Sequence, residues 1–161
     1  MTGLFIYQAQ LTEALDSSLT VYALALTGMG FAKLPGALLG GQWVDRLGPV
    51  RLARLYLLPY ALAMVIALML GGHISVWALM VGGGLAMGAQ ELVASGLLIK
   101  LWGAEHLGRV RSALSASMVF STGIAPAVLG VLLGAGIMFE MILAGMLAFI
   151  IASWLLAQPV L

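Results

Sequence analysis

The 161 residues are 63% hydrophobic and 8% charged, against about 25% charged in an ordinary soluble domain. A soluble fold of this length still shows a large area to water, so the composition excludes one and puts the apolar burial in a lipid bilayer. The net charge of +1 offers no footing for a nucleic-acid partner. The lack of cysteine removes disulfides and thiolate metal sites and leaves the redox compartment open.

Residues 1–18 lack the basic start of a secretory signal peptide. Gly3 to Leu15 is apolar but too short to cross a membrane alone. It reads as the end of a truncated helix, closed by the polar turn Glu13 to Ser18. The alternative is a helix lying on the membrane surface. A crossing needs about 20 apolar residues, and five segments supply them, at about 19–44, 52–71, 76–101, 108–135 and 138–158. Asp16 and Ser17 can cap the first, and Pro49 suits the opening turn of the second. Short connections predict consecutive helices packed as antiparallel neighbours. The expected fold is therefore all-α and integral to the membrane: a single-domain helical bundle of five transmembrane helices plus an N-terminal partial helix.

Basic residues orient the bundle. Arg46, Arg51 and Arg54 follow the first span, and Lys100, Arg109 and Arg111 follow the third, whereas 71–75 and 136–139 carry no Lys or Arg. The arginine-bearing loops and the C-terminus are expected on the cytoplasmic side. Trp43, Trp77, Trp102 and Trp154 all fall near span ends, where indole rings favour the headgroup region.

Many of the 21 glycines lie inside spans. Small residues let helix backbones approach closely where lipid supplies no hydrophobic drive between helices. Gly84 and Gly88 are four apart, as are Gly130 and Gly134. Pro35, Pro59 and Pro126 are each expected to bend or open a span.

The junction between the first two spans reads Gly41-Gln42-Trp43-Val44-Asp45-Arg46-Leu47-Gly48-Pro49-Val50-Arg51. It resembles the cytoplasmic signature of the major facilitator superfamily, a Gly, three residues, then Asp-Arg-x-Gly and basic residues. Gly41, Asp45, Arg46 and Gly48 match. The chain departs from the pattern at Pro49 and Val50, where the family has two basic residues before the position of Arg51. The alternative is an ordinary charged loop. Physically, Gly48 permits a sharp turn, Asp45 can face a helix N-terminus or an arginine, and the arginines can grip carbonyls at helix ends. Such contacts form in one access state and break in the other.

The helix around Gly123, Pro126 and Gly130, entered through Leu107-Gly108-Arg109-Val110-Arg111-Ser112, resembles the one that the family packs beside the interface between its halves. The resemblance spans nearly the whole chain. It implies most of one six-helix half, the C-terminal half in preference to the N-terminal, of a secondary transporter with no cofactor and no metal. Its partners would be the lipid bilayer, a small-molecule substrate and the missing half of the transporter. Its expected location is the bacterial cytoplasmic (inner) membrane.

Two ionisable residues lie deep in spans. Lys33 is near the centre of the first and Glu91 just past the centre of the third. Each costs about 2.5–3.5 kcal/mol on an insertion scale, tolerable if they face a watery cavity or each other. The resemblance places both helices beside the central cavity. Lys33 would then attract an organic anion and Glu91 carry a coupled proton. The alternatives are a structural ion pair, or a lysine reaching toward water. Gln90, Thr27 and Tyr22 are further candidates for lining the cavity. His73 and Glu140 read as solvated. Ser112, Ser115, Ser117, Ser121 and Thr122 read as hydrogen-bonding to neighbouring helices.

An intramembrane enzyme finds no support: there is no His-Glu-x-x-His or Gly-x-Ser-x-Gly, and the only aspartates are Asp16 and Asp45. A small polytopic scaffold or assembly subunit would explain the short chain but needs neither a buried charge nor a signature loop.

Overall fold

A computed structural model describes residues 1–158. Five helical stretches are long and apolar enough to cross a membrane: Leu19–Leu47, Pro49–Leu70, Gly72–Trp102, Leu107–Gly134 and Phe139–Ala157. Two short helices precede them, α1 (Thr2–Ile6) and α2 (Gln8–Ala14), with a kink at Tyr7.

The N-terminal pair is not a surface helix. Leu4, Leu11 and Leu15 are buried against the first and the last two spans. Tyr7 donates its hydroxyl to the Pro126 carbonyl at 3.1 Å, and Tyr22 donates to the Leu4 carbonyl at 3.2 Å. At its C-terminal end the Gly72 amide donates to the Leu15 carbonyl at 2.5 Å, and Ser17 Oγ lies 2.8 Å from His73 Nδ1. At the other end the Met1 side chain abuts Gly83, about 16 Å along its helix at 1.5 Å per residue. The segment thus runs from the middle of the bundle to the end formed by the start of the third span.

Helix α3 (Leu19–Leu47) is capped by Ser18, whose hydroxyl accepts from the Val21 amide at 3.2 Å. Sequence pattern pointed instead to Asp16 and Ser17. Asp16 is occupied in ending α2, at φ 49°, a left-handed conformation that a short polar side chain tolerates. Gly48, at φ 80°, makes the sharp turn out of α3, and Pro49 opens α4 (Pro49–Ala53). The second span then breaks at 54–57 before α5 (Leu58–Leu70). Pro59 explains the break: it has no N–H for the Leu55 carbonyl, and its ring crowds the preceding turn. It sits in the first turn of α5, so it starts a helix rather than bending one. The remaining elements are α6 (Gly72–Trp102), a 3₁₀ turn (Ala104–His106), α7 (Leu107–Gly134) and α8 (Phe139–Ala157).

Helix α5 packs extensively on its successor α6, but the chief contact of the bundle is not between consecutive spans. The most extensive contact joins α3 to α6, which run parallel. Glycine faces on both helices make it possible. A Cβ on Gly88 would strike the Lys33 carbonyl, and would lie 2.8 Å from the Ala37 nitrogen and 3.0 Å from the Gly36 carbonyl carbon. A Cβ on Gly40 would lie 3.0 Å from the Ala89 Cα. The three adjacent glycines of α6 serve different neighbours. Gly82 admits Pro59 and Ala63 of α5, Gly83 admits Met1, and Gly84 admits Met29 and Ala32 of α3. Steps of about 100° per residue spread them around the helix, so α6 is the hub.

Helix α7 stands apart. Leu129 is its one buried residue, and it is held mainly by α1, with Gly130 making room for the Tyr7 hydroxyl. A Cβ on Gly123, or on Gly134, the four-residue partner of Gly130, would meet nothing within 4 Å, so neither glycine makes a close contact among the described residues.

Candidate functional site

The polar residues of α6 and α7 converge on a cleft of about 340 Å³ between the two helices. Gln90, Glu91 and Ser95 line it from α6, and Arg111, Ser115 and Ser117 from α7. Residues 91 and 95, like 111 and 115, are four apart and share one helical face. Arg111 Nη2 lies 3.6 Å from Glu91 Oε2, and the two side chains are 58% and 69% exposed. This is the sole ion pair among the described residues.

An ion pair between Lys33 and Glu91 was the alternative to separate cavity roles, and the structure places Arg111 beside Glu91 instead. Gly88 faces α3 at the level of Lys33. Glu91, three residues on, is rotated about 60° from that line, toward α7. Lys33 is half-buried on α3, with no carboxylate within 4.0 Å among the described residues. Gln90 joins the cleft, whereas Thr27 does not: its hydroxyl donates to the Leu24 carbonyl at 2.6 Å on an exposed face. Tyr22 belongs to the core, not to a cavity wall.

The serines of α7 also differ from expectation. Ser112, Ser117 and Ser121 donate to the carbonyls of Gly108, Ala113 and Ser117, at 2.9, 3.0 and 2.8 Å. Thr122 donates to the Val119 carbonyl at 2.7 Å. Among the described residues these hydroxyls are satisfied on their own helix. Their oxygens still present acceptors to the cleft. Arg111 read as an orientation signal in the sequence; the four-residue step from Arg111 to Ser115 was the sign that the two share one helical face.

In the signature loop, Asp45, Arg46 and Arg51 are exposed. Gly41 lies 3.6 Å, measured from its Cβ position, from Leu92 of α6. Pro49 and Val44 flank Gly96, where an added Cβ would lie 2.9 Å from Pro49 Cβ. The loop therefore rests on the C-terminal part of α6, about one turn past Glu91. His73 is exposed and in contact with Ser17. Glu140 is exposed in the first turn of α8, where the helix dipole favours a carboxylate. No group of three metal-ligating side chains occurs among the described residues.

A family model described as Major Facilitator Superfamily matches residues 1–160. The chain belongs to the major facilitator superfamily. No curated protein and no solved structure matches it. Membership makes this superfamily chain a multi-pass transport protein of the membrane, built from helices alone among the described residues. Within it, the signature loop and the Glu91–Arg111 cleft both adjoin α6.

Proposed function

We propose that this superfamily chain forms most of one half, the C-terminal half, of a secondary transporter that moves a small solute by alternating access. The cleft between α6 and α7 is part of the solute path. One observation carries this reading: a carboxylate and a guanidinium stand more than half exposed on membrane-crossing helices. Glu91 lies well inside α6, where a charge facing lipid costs about 2.5–3.5 kcal/mol, and Arg111 reaches it from the opening turns of α7, so this face is turned to a watery cavity that a complementary half encloses. Arg111, with Lys33 farther along, supplies positive charge for an organic anion, and Glu91 is the proton carrier. Asp45, Arg46 and Arg51 hold one access state by contacts made and broken across the inner face.

Vesicles carrying this chain with its complementary half should accumulate a small organic anion when a proton gradient is imposed, and lose that accumulation when the gradient is collapsed. Failure across a panel of organic anions would refute the assigned substrate class; indifference to the gradient would refute proton coupling.

The inner membrane of a bacterium, with the C-terminus cytoplasmic, is the location this reading requires. The chain has no native cysteine, so labelling is unambiguous. His73→Cys, at the outer start of α6, should react with an impermeant thiol reagent from outside, and Arg109→Cys only from inside. Labelling of both from one side would remove the proposed orientation.

A further inference from the structure

A second cavity lies away from the transport cleft, at the arginine-bearing end of the bundle between α5 and α8. Its walls are apolar, with Leu57, Leu58 and Ala61 on one side and Ile150, Ile151 and Trp154 on the other, and its volume is about 190 Å³. Arg54 closes its membrane-surface end. From Arg54 to Ala61 the groove reaches roughly 10 Å into the hydrocarbon layer at about 1.5 Å per residue.

Arg54 is poorly matched by the described residues. Its Nη2 donates to the Gln158 carbonyl at 3.4 Å, and its Nε is buried without a hydrogen-bond partner. No carboxylate lies within 4.0 Å among the described residues. A guanidinium has five N–H donors, and a half-buried cation without an anion is costly. The position is nevertheless fixed. The Trp154 indole donates to the Arg54 carbonyl at 2.7 Å, which pins the 54–57 turn and makes the ring a groove wall. Arg46 and Arg51 lie on the same connection, with Asp45 the one acid among them, so the surroundings carry a net positive charge.

We propose that this groove binds one anionic glycerophospholipid. Its phosphate pairs with the Arg54 guanidinium, a geometry that arginine matches with two parallel hydrogen bonds. One acyl chain lies between α5 and α8, and Trp154 sits at the glycerol level. Basic pockets between transmembrane helices on the cytoplasmic side take anionic headgroups for this reason. The groove explains why the ligand is a lipid rather than a free anion: phosphate alone would leave the apolar walls unoccupied.

The test is binding to the purified protein in a neutral maltoside detergent. The probes are dioctanoyl phosphatidylglycerol, dioctanoyl phosphatidylcholine and inorganic phosphate. Phosphatidylglycerol should bind with one site per chain, and at least tenfold more tightly than either of the others. Arg54→Gln should weaken it at least tenfold. Ala61→Phe, which fills the groove and leaves the guanidinium intact, should do the same and decides the matter if Arg54→Gln does not fold. Wild-type affinity in a folded variant of either kind overturns the proposal. So does equal binding of phosphatidylcholine, which would deny the charge selection, or of inorganic phosphate, which would deny the acyl chain. Absence of any binding by the wild type also overturns it and leaves the groove to a polypeptide segment.

Discussion

Gly88→Leu should abolish the folded bundle. The new side chain would enter the α3–α6 contact against the Lys33 carbonyl, the Ala37 nitrogen and the Gly36 carbonyl carbon. All three are backbone atoms and cannot swing aside as a side chain does. Overpacking a filled interior costs about 1–3 kcal/mol even when neighbours relax, and here relief requires the two helices to part. The parting would also undo Gly36 against Leu85, Gly40 against Ala89 and Gly84 against Met29. A cost above about 3 kcal/mol is a large share of the 5–15 kcal/mol that holds a typical domain together. The variant should be recovered as aggregate, whereas Gly134→Ala, which meets open space, should extract and melt like the parent. Detergent extraction followed by size-exclusion chromatography and thermal melting reads both. A monodisperse Gly88→Leu variant with the parent's melting temperature would refute the packing account.

Neutralising the Glu91–Arg111 pair should do the reverse, leaving the fold and removing transport. Both side chains are more than half exposed, and exposed pairs contribute only about 0–1 kcal/mol to stability. Glu91→Gln and Arg111→Gln should therefore each shift the melting temperature little. A hydrogen bond to a charged group contributes about 1.5–3 kcal/mol, and each 1.36 kcal/mol is a factor of ten in rate. Arg111→Gln should lower uptake by on the order of tenfold or more through loss of anion binding. Glu91→Gln should retain solute exchange and lose accumulation driven by the proton gradient. Initial-rate uptake and counterflow in vesicles with the complementary half separate the two. Parent-like accumulation by both variants would leave the pair with no part in transport.

The two variants probe contacts that differ in how they can be read. The sequence by itself determined the class of protein and the path of the chain through the membrane. The segments from Leu19 onward are long enough to cross a bilayer and predominantly apolar, and that is a local property of composition and length. The arginines at 46, 51, 54, 109 and 111 point to a polarity for the same reason, since each acts through its own distance from a span end. Gly48 and Pro49 were legible as a turn because φ preference belongs to the single residue.

The tertiary structure decided which face of each helix meets which neighbour. Depth along the axis made Lys33 the apparent partner of Glu91, but a difference of about 60° in azimuth gave that carboxylate to Arg111. Tyr22 looked like a cavity residue and is a core one, because the Leu4 carbonyl lies where its hydroxyl points. Ser112, Ser117 and Ser121 turned back to carbonyls one turn earlier on their own helix. The pairing of α3 with α6, rather than with its successor in the chain, followed from two glycine faces that match in shape only once both helices are upright and parallel. Hydropathy constrains a residue's depth and says nothing of its rotation about the helix axis. Rotation is set by interlocking backbones and side chains from distant parts of the chain, which exist only in the assembled bundle.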